Sequence, residues 1–263
     1  MSNIHPTAII ENGATIGNNV TIGPFVTISS KTIIGDNNII DAHATIVGRT
    51  TIGKGNHIFS HAVVGSIPQD LKFDGEDVEL IIGDNNKIRE FTLINPGTLG
   101  GGSITKVGNN NLLMGYVHLG HDVIMGNNCI LANGATLAGH VELGNNVVVG
   151  GLTPIHQFVK IGDFAMIAGA SALSQDIPPF CMAEGNRATL RGLNLTGLRR
   201  HLERDEINAL KTAYRELFES GKALQESAEE LLQKSSSENI KKLAAFITQS
   251  KRGIPFIRKN SNV

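Results

Sequence analysis

An aliphatic residue recurs at every sixth position through most of the chain. Ile4, Ile10, Ile16, Ile22, Ile28, Ile34, Ile40, Ile46, Ile52, Ile58 and Val64 keep the interval, and Ile82, Ile88 and Ile94 resume it after a gap. Following a slip of one residue it runs on through Val107, Leu113, Leu119, Met125, Leu131, Leu137, Leu143, Val149, Ile155, Ile161, Ile167 and Leu173. Neither an amphipathic helix, with its period of about 3.6, nor a pleated strand, with its period of about 2, demands a strict six. A coil of short strands joined by equivalent corners does, so the spacing predicts a parallel β-solenoid. Aromatic residues make up only 5% of the chain and Trp is absent, which suits an interior of stacked β-branched side chains.

Many slots are followed by Gly and Asx, as in Ile16-Gly17-Asn18-Asn19, Ile34-Gly35-Asp36-Asn37 and Leu143-Gly144-Asn145-Asn146. Both residue types accept left-handed backbone angles cheaply, so these are expected to be turns at a fixed place in each rung. Two stretches break the repeat. Residues 66–79 keep the six-residue count but lose the inward aliphatics; residues 96–103 are glycine-rich and add one residue. Both are expected as loops thrown outward. Asp176-Ile177-Pro178-Pro179 ends the repeat, and the period then becomes helical. Ile207, Leu210, Tyr214, Leu217 and Phe218 share one face before Gly221 stops the helix. A second amphipathic run covers 222–234, and a third starts near Ser236-Ser237 and carries Leu243, Phe246 and Ile247. The expected organisation is a β-solenoid of about ten coils over 1–185 and a helical domain over 186–263 that caps its open end.

A net charge of -1 argues against a nucleic-acid surface spread over the molecule. Cys129 and Cys181 are too few for a disulfide scaffold. The chain opens without a charged and apolar leader, and no apolar run reaches membrane-spanning length. The expectation is a soluble cytoplasmic protein with no transmembrane segment.

The repeat resembles the hexapeptide repeat of left-handed β-helix acyltransferases, in which three hexads make one triangular coil of 18 residues. With that coil length, His140 falls over position 122, His156 over 120 and Gly139 over His121. His118, His121, His140 and His156 then share a stripe on three successive rungs. Two chemistries use such a stripe. Neutral imidazoles could bind Zn²⁺ and leave a place for water, as β-helical carbonic anhydrases do; alternatively, one histidine serves as general base toward a hydroxyl. Ligands spread over three rungs suit a long groove better than a metal, whose ligands converge to about 2.1 Å.

Several motifs carry a closer resemblance: His118-Leu119-Gly120-His121-Asp122, Thr136-Leu137-Ala138-Gly139-His140, Gly150-Gly151-Leu152-Thr153-Pro154-Ile155-His156-Gln157-Phe158, Pro68-Gln69-Asp70-Leu71-Lys72 and Glu184-Gly185-Asn186-Arg187-Ala188. They are similar to the UDP-N-acetylglucosamine O-acyltransferase family, which opens lipid A biosynthesis. The likeness implies a 3-hydroxyacyl transfer from the phosphopantetheine of acyl carrier protein, no other cofactor and no metal, and a homotrimer. It makes His121 the base, Gly139 the oxyanion donor and Asp122 an orienting carboxylate. It assigns Gln69, Asp70 and Lys72 to the sugar and acyl region, His118, His140, His156 and Gln157 to the sugar nucleotide groove, and Gly151 to substrate binding. Asn194 and Arg200 would reach the nucleotide, and Gly169 with Arg187 would bound the acyl channel. The best-known members carry His at position 187, Glu at 196 and Arg at 201, where this chain has Arg187, Thr196 and His201. Acyl length therefore stays open. So does the acceptor, because some relatives use the 3-amino analogue of the sugar and form an amide.

Overall fold

The structure, a computed structural model, describes residues 2–257; the last six residues of the expected helical domain lie outside them. The chain winds as a left-handed parallel β-helix of triangular section. Strands of mostly two residues stack into three sheets, one per face. The first face starts with Asn3–Ile4, the second with Ile9–Ile10 and the third with Thr15–Ile16. The inward residue of each strand is an aliphatic of the six-residue series: Ile22, Ile28, Ile34, Ile40, Ile46, Ile52 and Ile58 are at most 1% exposed. Ile4 departs from that pattern, because it belongs to the first coil, where no described rung packs below it.

The two interruptions shorten the stack. In uninterrupted coils the paired residues are 18 apart, as Ile34 is from Ile52, but Ile52 pairs with Ile82 and Ile82 with Val107. The intervening segments are not turns of the coil; among the described residues the longest face has nine strands of the coil, and Cys181–Glu184 adds a tenth in the same direction. Both segments leave from the corner between the second and third faces, after Val63–Val64 and after Leu93–Ile94. One corner thus receives two loops on successive rungs.

The corner glycines serve a different purpose from the one their composition suggests. Gly35, Gly83, Gly108 and Gly126 have ordinary φ angles; a Cβ on any of them would come within 2.8 Å of the next coil. Their role is close approach. The left-handed position falls two residues later, at Asn19, Asn37, Asn85, Asn128 and Asn146. At the other two corners it is filled by bulky residues such as Phe25, His43, His61, Phe91, Asp122, His140 and Phe158. Each such residue costs about 1–2 kcal/mol of backbone strain. Stacking along the corner offsets part of it: His43 and His61 lie face to face with ring centroids 4.9 Å apart.

Beyond the coil, an antiparallel hairpin of Cys181–Glu184 and Thr189–Leu193 extends the first face. Four helices follow: α1 (Leu195–Leu198), α2 (Arg204–Phe218), α3 (Leu224–Lys234) and α4 (Glu238–Gln249). Ser237 caps α4 by accepting the Ile240 N–H. Leu210, Leu217, Leu243 and Ile247 are buried in the same core cluster as the coil interior, so the helices close its end. Buried Asp176 ties the chain's last turn to the coil by accepting from Lys160 N and Ser250 Oγ. No helix among the described residues is long and apolar enough to cross a membrane.

Candidate active site

Adjacent residues on a straight strand face opposite ways, so a contact between His121 and Asp122 requires a corner. The structure supplies it. Asp122 takes the left-handed position with φ 59°, and its Oδ2 lies 2.8 Å from His121 Nδ1. With the proton on Nδ1 donated to a carboxylate, Nε2 keeps its lone pair. The Asp122 side chain is 1% exposed, and Thr98 donates to it twice, through N to Oδ1 (2.9 Å) and through Oγ1 to Oδ2 (2.6 Å). Thr105 Oγ1 accepts the Asp122 N–H at 2.8 Å.

One coil on, His140 repeats the corner position of Asp122, and its N–H donates to the His121 carbonyl at 2.9 Å. Its ring meets that of His121 edge-on, with centroids 4.9 Å apart, and Phe158 of the following coil stacks on it at 4.3 Å. Gly139 backs onto the His121 ring: a Cβ there would lie 2.5 Å from Cε1 and Nε2. Among the described residues the Gly139 N–H has no protein acceptor. A Cβ at Gly120 would come within 3.0 Å of that nitrogen, so two glycines leave the amide uncovered beside the basic face of the imidazole.

Burial pushes the pKa of His118 below the ordinary imidazole value, with the neighbouring His121 adding to the effect. Burial also lowers His140, against an upward pull from Asp122 and Asp70. The latter pull brings the 65–78 excursion, which carries Asp70, within electrostatic reach of the corner. Asp70 itself forms a tight turn, accepting the Lys72 N–H at 3.0 Å, and Gln69 and Lys72 are exposed. A cleft of ≈ 560 Å³ beside the corner is lined by Gly101, Asp122, His140, Phe158, Lys160 and Arg252, among others.

Not all the expected residues gather here. His156 and Gln157 are exposed one rung further along, where His156 Nδ1 meets Arg252 Nη2 at 3.3 Å. Gly151 and Gly169 sit at the corner between the first and second faces, a different edge of the prism from His121. Arg187 lies in the hairpin turn and Arg200 just past α1, both exposed. Asn194 is buried and caps α1: its Oδ1 accepts the Gly197 N–H, and its Nδ2 donates to the Phe164 carbonyl. The sequence assigns no role to Thr98 or Gly120, although the one-residue slip beside Thr98 marks that loop as irregular.

One ring nitrogen each of His121 and His140 and a carboxylate oxygen of Asp122 lie within 4.8 Å of one another, which is close enough for a cation to be considered. Both carboxylate oxygens are already engaged by Thr98 and His121, however, so the donor set fits an orienting carboxylate better than a metal ligand.

Comparison with known proteins shows the family. A family model described as UDP N-acetylglucosamine O-acyltransferase, domain 2, matches residues 176–255, and the bacterial transferase hexapeptide model matches 1–30 and 104–139. The acyl-(acyl-carrier-protein)–UDP-N-acetylglucosamine O-acyltransferase of Sulfurovum sp. (strain NBC37-1) is 74% identical over 260 residues, covering 99% of this chain and 100% of the relative. The enzyme of the same name from Sulfurimonas denitrificans is also 74% identical, with the same coverage. Among solved structures, UDP-N-acetylglucosamine acyltransferase from Campylobacter jejuni matches with a TM-score of 0.94 at 52% identity, over 97% of this chain and 100% of that one. With likeness of this degree along its full length, the chain belongs to the family of acyl-(acyl-carrier-protein)–UDP-N-acetylglucosamine O-acyltransferases.

Proposed function

We propose that the protein moves a 3-hydroxyacyl chain from acyl carrier protein to the 3-position of UDP-N-acetylglucosamine, the first step of lipid A biosynthesis, with His121 as general base. The observation that carries the mechanism is the Asp122–His121 hydrogen bond with the Gly139 amide against the far edge of the ring. His121 Nε2 takes the proton from the sugar 3-hydroxyl as its oxygen attacks the thioester carbon. The C–O bond forms, the carbonyl pair moves onto oxygen, and the Gly139 N–H meets that charge. Collapse breaks the C–S bond, and the imidazolium returns its proton to the departing thiolate of the carrier. Base catalysis of this kind contributes about 10²- to 10⁴-fold, and a preset oxyanion donor about 10²-fold or more. The acyl group arrives on the carrier's phosphopantetheine, and the reaction needs no resident metal or other cofactor.

Gly151, Gly169 and Arg187 stand on a different edge of the prism from His121. A homotrimer would bring one chain's His121 corner against another chain's glycine edge, and cyclic symmetry would build three such grooves from one interface. His118, His140, His156, Gln157, Asn194 and Arg200 then serve the sugar nucleotide, and Gln69, Asp70 and Lys72 the reacting end. A carrier-bound thioester and a sugar nucleotide are cytoplasmic substrates, which is where we place the enzyme. The test is incubation with UDP-N-acetylglucosamine, its 3-amino analogue and a set of 3-hydroxyacyl carriers, with products identified by mass. An ester on the first sugar, abolished by His121→Ala, is the expected result. An amide formed only on the analogue would reassign the acceptor, and transfer to neither would overturn the reading.

A further inference from the structure

The excursion at 97–103 does more than interrupt the coil. We propose that it is a clamp for the Asp122 carboxylate, with Thr98 and Gly101 as positioning residues for His121; this rests on the reading of His121 as the base.

The carboxylate has two imidazole neighbours. Its Oδ2 lies 2.8 Å from His121 Nδ1 and 3.8 Å from His140 Nδ1, so both imidazoles lie near the same oxygen. Thr98 selects between them. Its N–H and its hydroxyl hold the two oxygens separately, which fixes the carboxylate plane and aims Oδ2 at His121. The loop is built to present both donors. Thr98 is 4% exposed and stands as the N-terminal residue of a 3-10 turn, Leu99–Gly101, with the Gly101 and Ser103 N–H groups returning to its carbonyl. Gly101 lies against the carboxylate itself: a Cβ there would fall 2.1 Å from Asp122 Cγ. Its bare backbone covers Asp122 without displacing it, and the carboxylate is only 1% exposed. Thr105, just past the loop, pins the Asp122 backbone from the other side.

A hydroxyl that donates to a carboxylate also disfavours protonation of that carboxylate, so the proton taken from the sugar stays on the imidazole, from which it must be returned. Thr98 therefore acts through Asp122 and not on the substrate.

The test compares Thr98→Val and Thr98→Ser in the native and Asp122→Asn backgrounds. Thr98→Val should lower kcat about tenfold, the size expected for losing one hydrogen bond to a charged group, with KM for the sugar nucleotide within about twofold. Thr98→Ser should restore most of the rate. In the Asp122→Asn background Thr98→Val should cost nothing further. A proton NMR signal from the His121 Nδ1–H shared with Asp122 should disappear in Thr98→Val and persist in Thr98→Ser. Full activity in Thr98→Val, or an equal loss in both backgrounds, would overturn the clamp. The NMR readout separates the two ideas: if His121→Ala stays active while the signal still depends on Thr98, the base assignment fails and the clamp stands.

Discussion

At His121, the proposed base, the arrangement depends on absences as much as on groups. Gly139 leaves room for the imidazole and offers a free N–H, so Gly139→Ala should push the ring out of line with its proton acceptor role. We expect kcat to fall on the order of 10²-fold while circular dichroism stays unchanged, measured by steady-state turnover. His118 and His140 make a second prediction. Both resist protonation in the folded protein because burial lowers their pKa, whereas in the unfolded chain they titrate near 6.5. The unfolded state thus binds more protons in the window between the lowered folded values and about 6.5. Stability should be full above that window and decline as the pH falls through it. Melting temperatures taken from neutral pH down to about 5 should drop more steeply for the native protein than for His118→Gln. A slope that is the same in both would remove His118 from the account. The sequence already named His121 and Gly139, because a count of 18 suffices to stack them. It did not disclose Thr98, whose value lies in a contact with a residue 24 positions away.

Among the elements, the corner between the third and first faces carries a ladder of buried asparagines. Asn38 Oδ1 accepts from Asn56, Asn56 Oδ1 from Asn86, and Asn86 Oδ1 from the Asn111 N–H, each on the next rung. Asn86 Nδ2 also donates to the Gly108 carbonyl at 2.9 Å. Asn86→Leu would leave the Asn111 N–H and that carbonyl without partners inside the core. The expected cost is about 3 kcal/mol, read as a lowered midpoint in chemical denaturation at fixed protein concentration. A change below about 0.5 kcal/mol would mean that the ladder is ornamental. The Gly-Asx repeat located these corners from sequence, but for an incomplete reason: asparagine supplies the left-handed angle and the buried amide, while glycine permits contact between coils. At the other corners the signal is weaker, since histidine and phenylalanine occupy the strained position at many rungs and glycine only at some, such as Gly13 and Gly134.

For the whole molecule, two surfaces matter. Arg187, Arg191, Arg199, Arg200 and Arg215 are exposed, and Lys211 partly so, across the hairpin and the first two helices. Acyl carrier protein is acidic, and this patch is proposed to steer it. Raising salt from about 0.05 to about 0.5 M should increase KM for the carrier severalfold with little change in kcat, because screening weakens encounter more than chemistry. A KM for the carrier that is insensitive to salt would rule out steering. The edge bearing Gly151 and Gly169 is proposed to face a neighbouring chain, so sedimentation should give a trimer mass of the 28.0 kDa chain. A monomer that is fully active would overturn that arrangement. Taken alone, the sequence determined a coil of short parallel strands, its aliphatic interior and the helical cap, since a strict interval and an amphipathic face are local properties that any register of the chain must satisfy; three hexads to a triangular turn came from the family resemblance. Only the tertiary structure decided that both excursions leave by the corner that holds His121. Only it set the left-handed Asp122 beneath the imidazole, with Thr98 holding its carboxylate, because those contacts depend on where the coil sheds its extra residues, and no period records that.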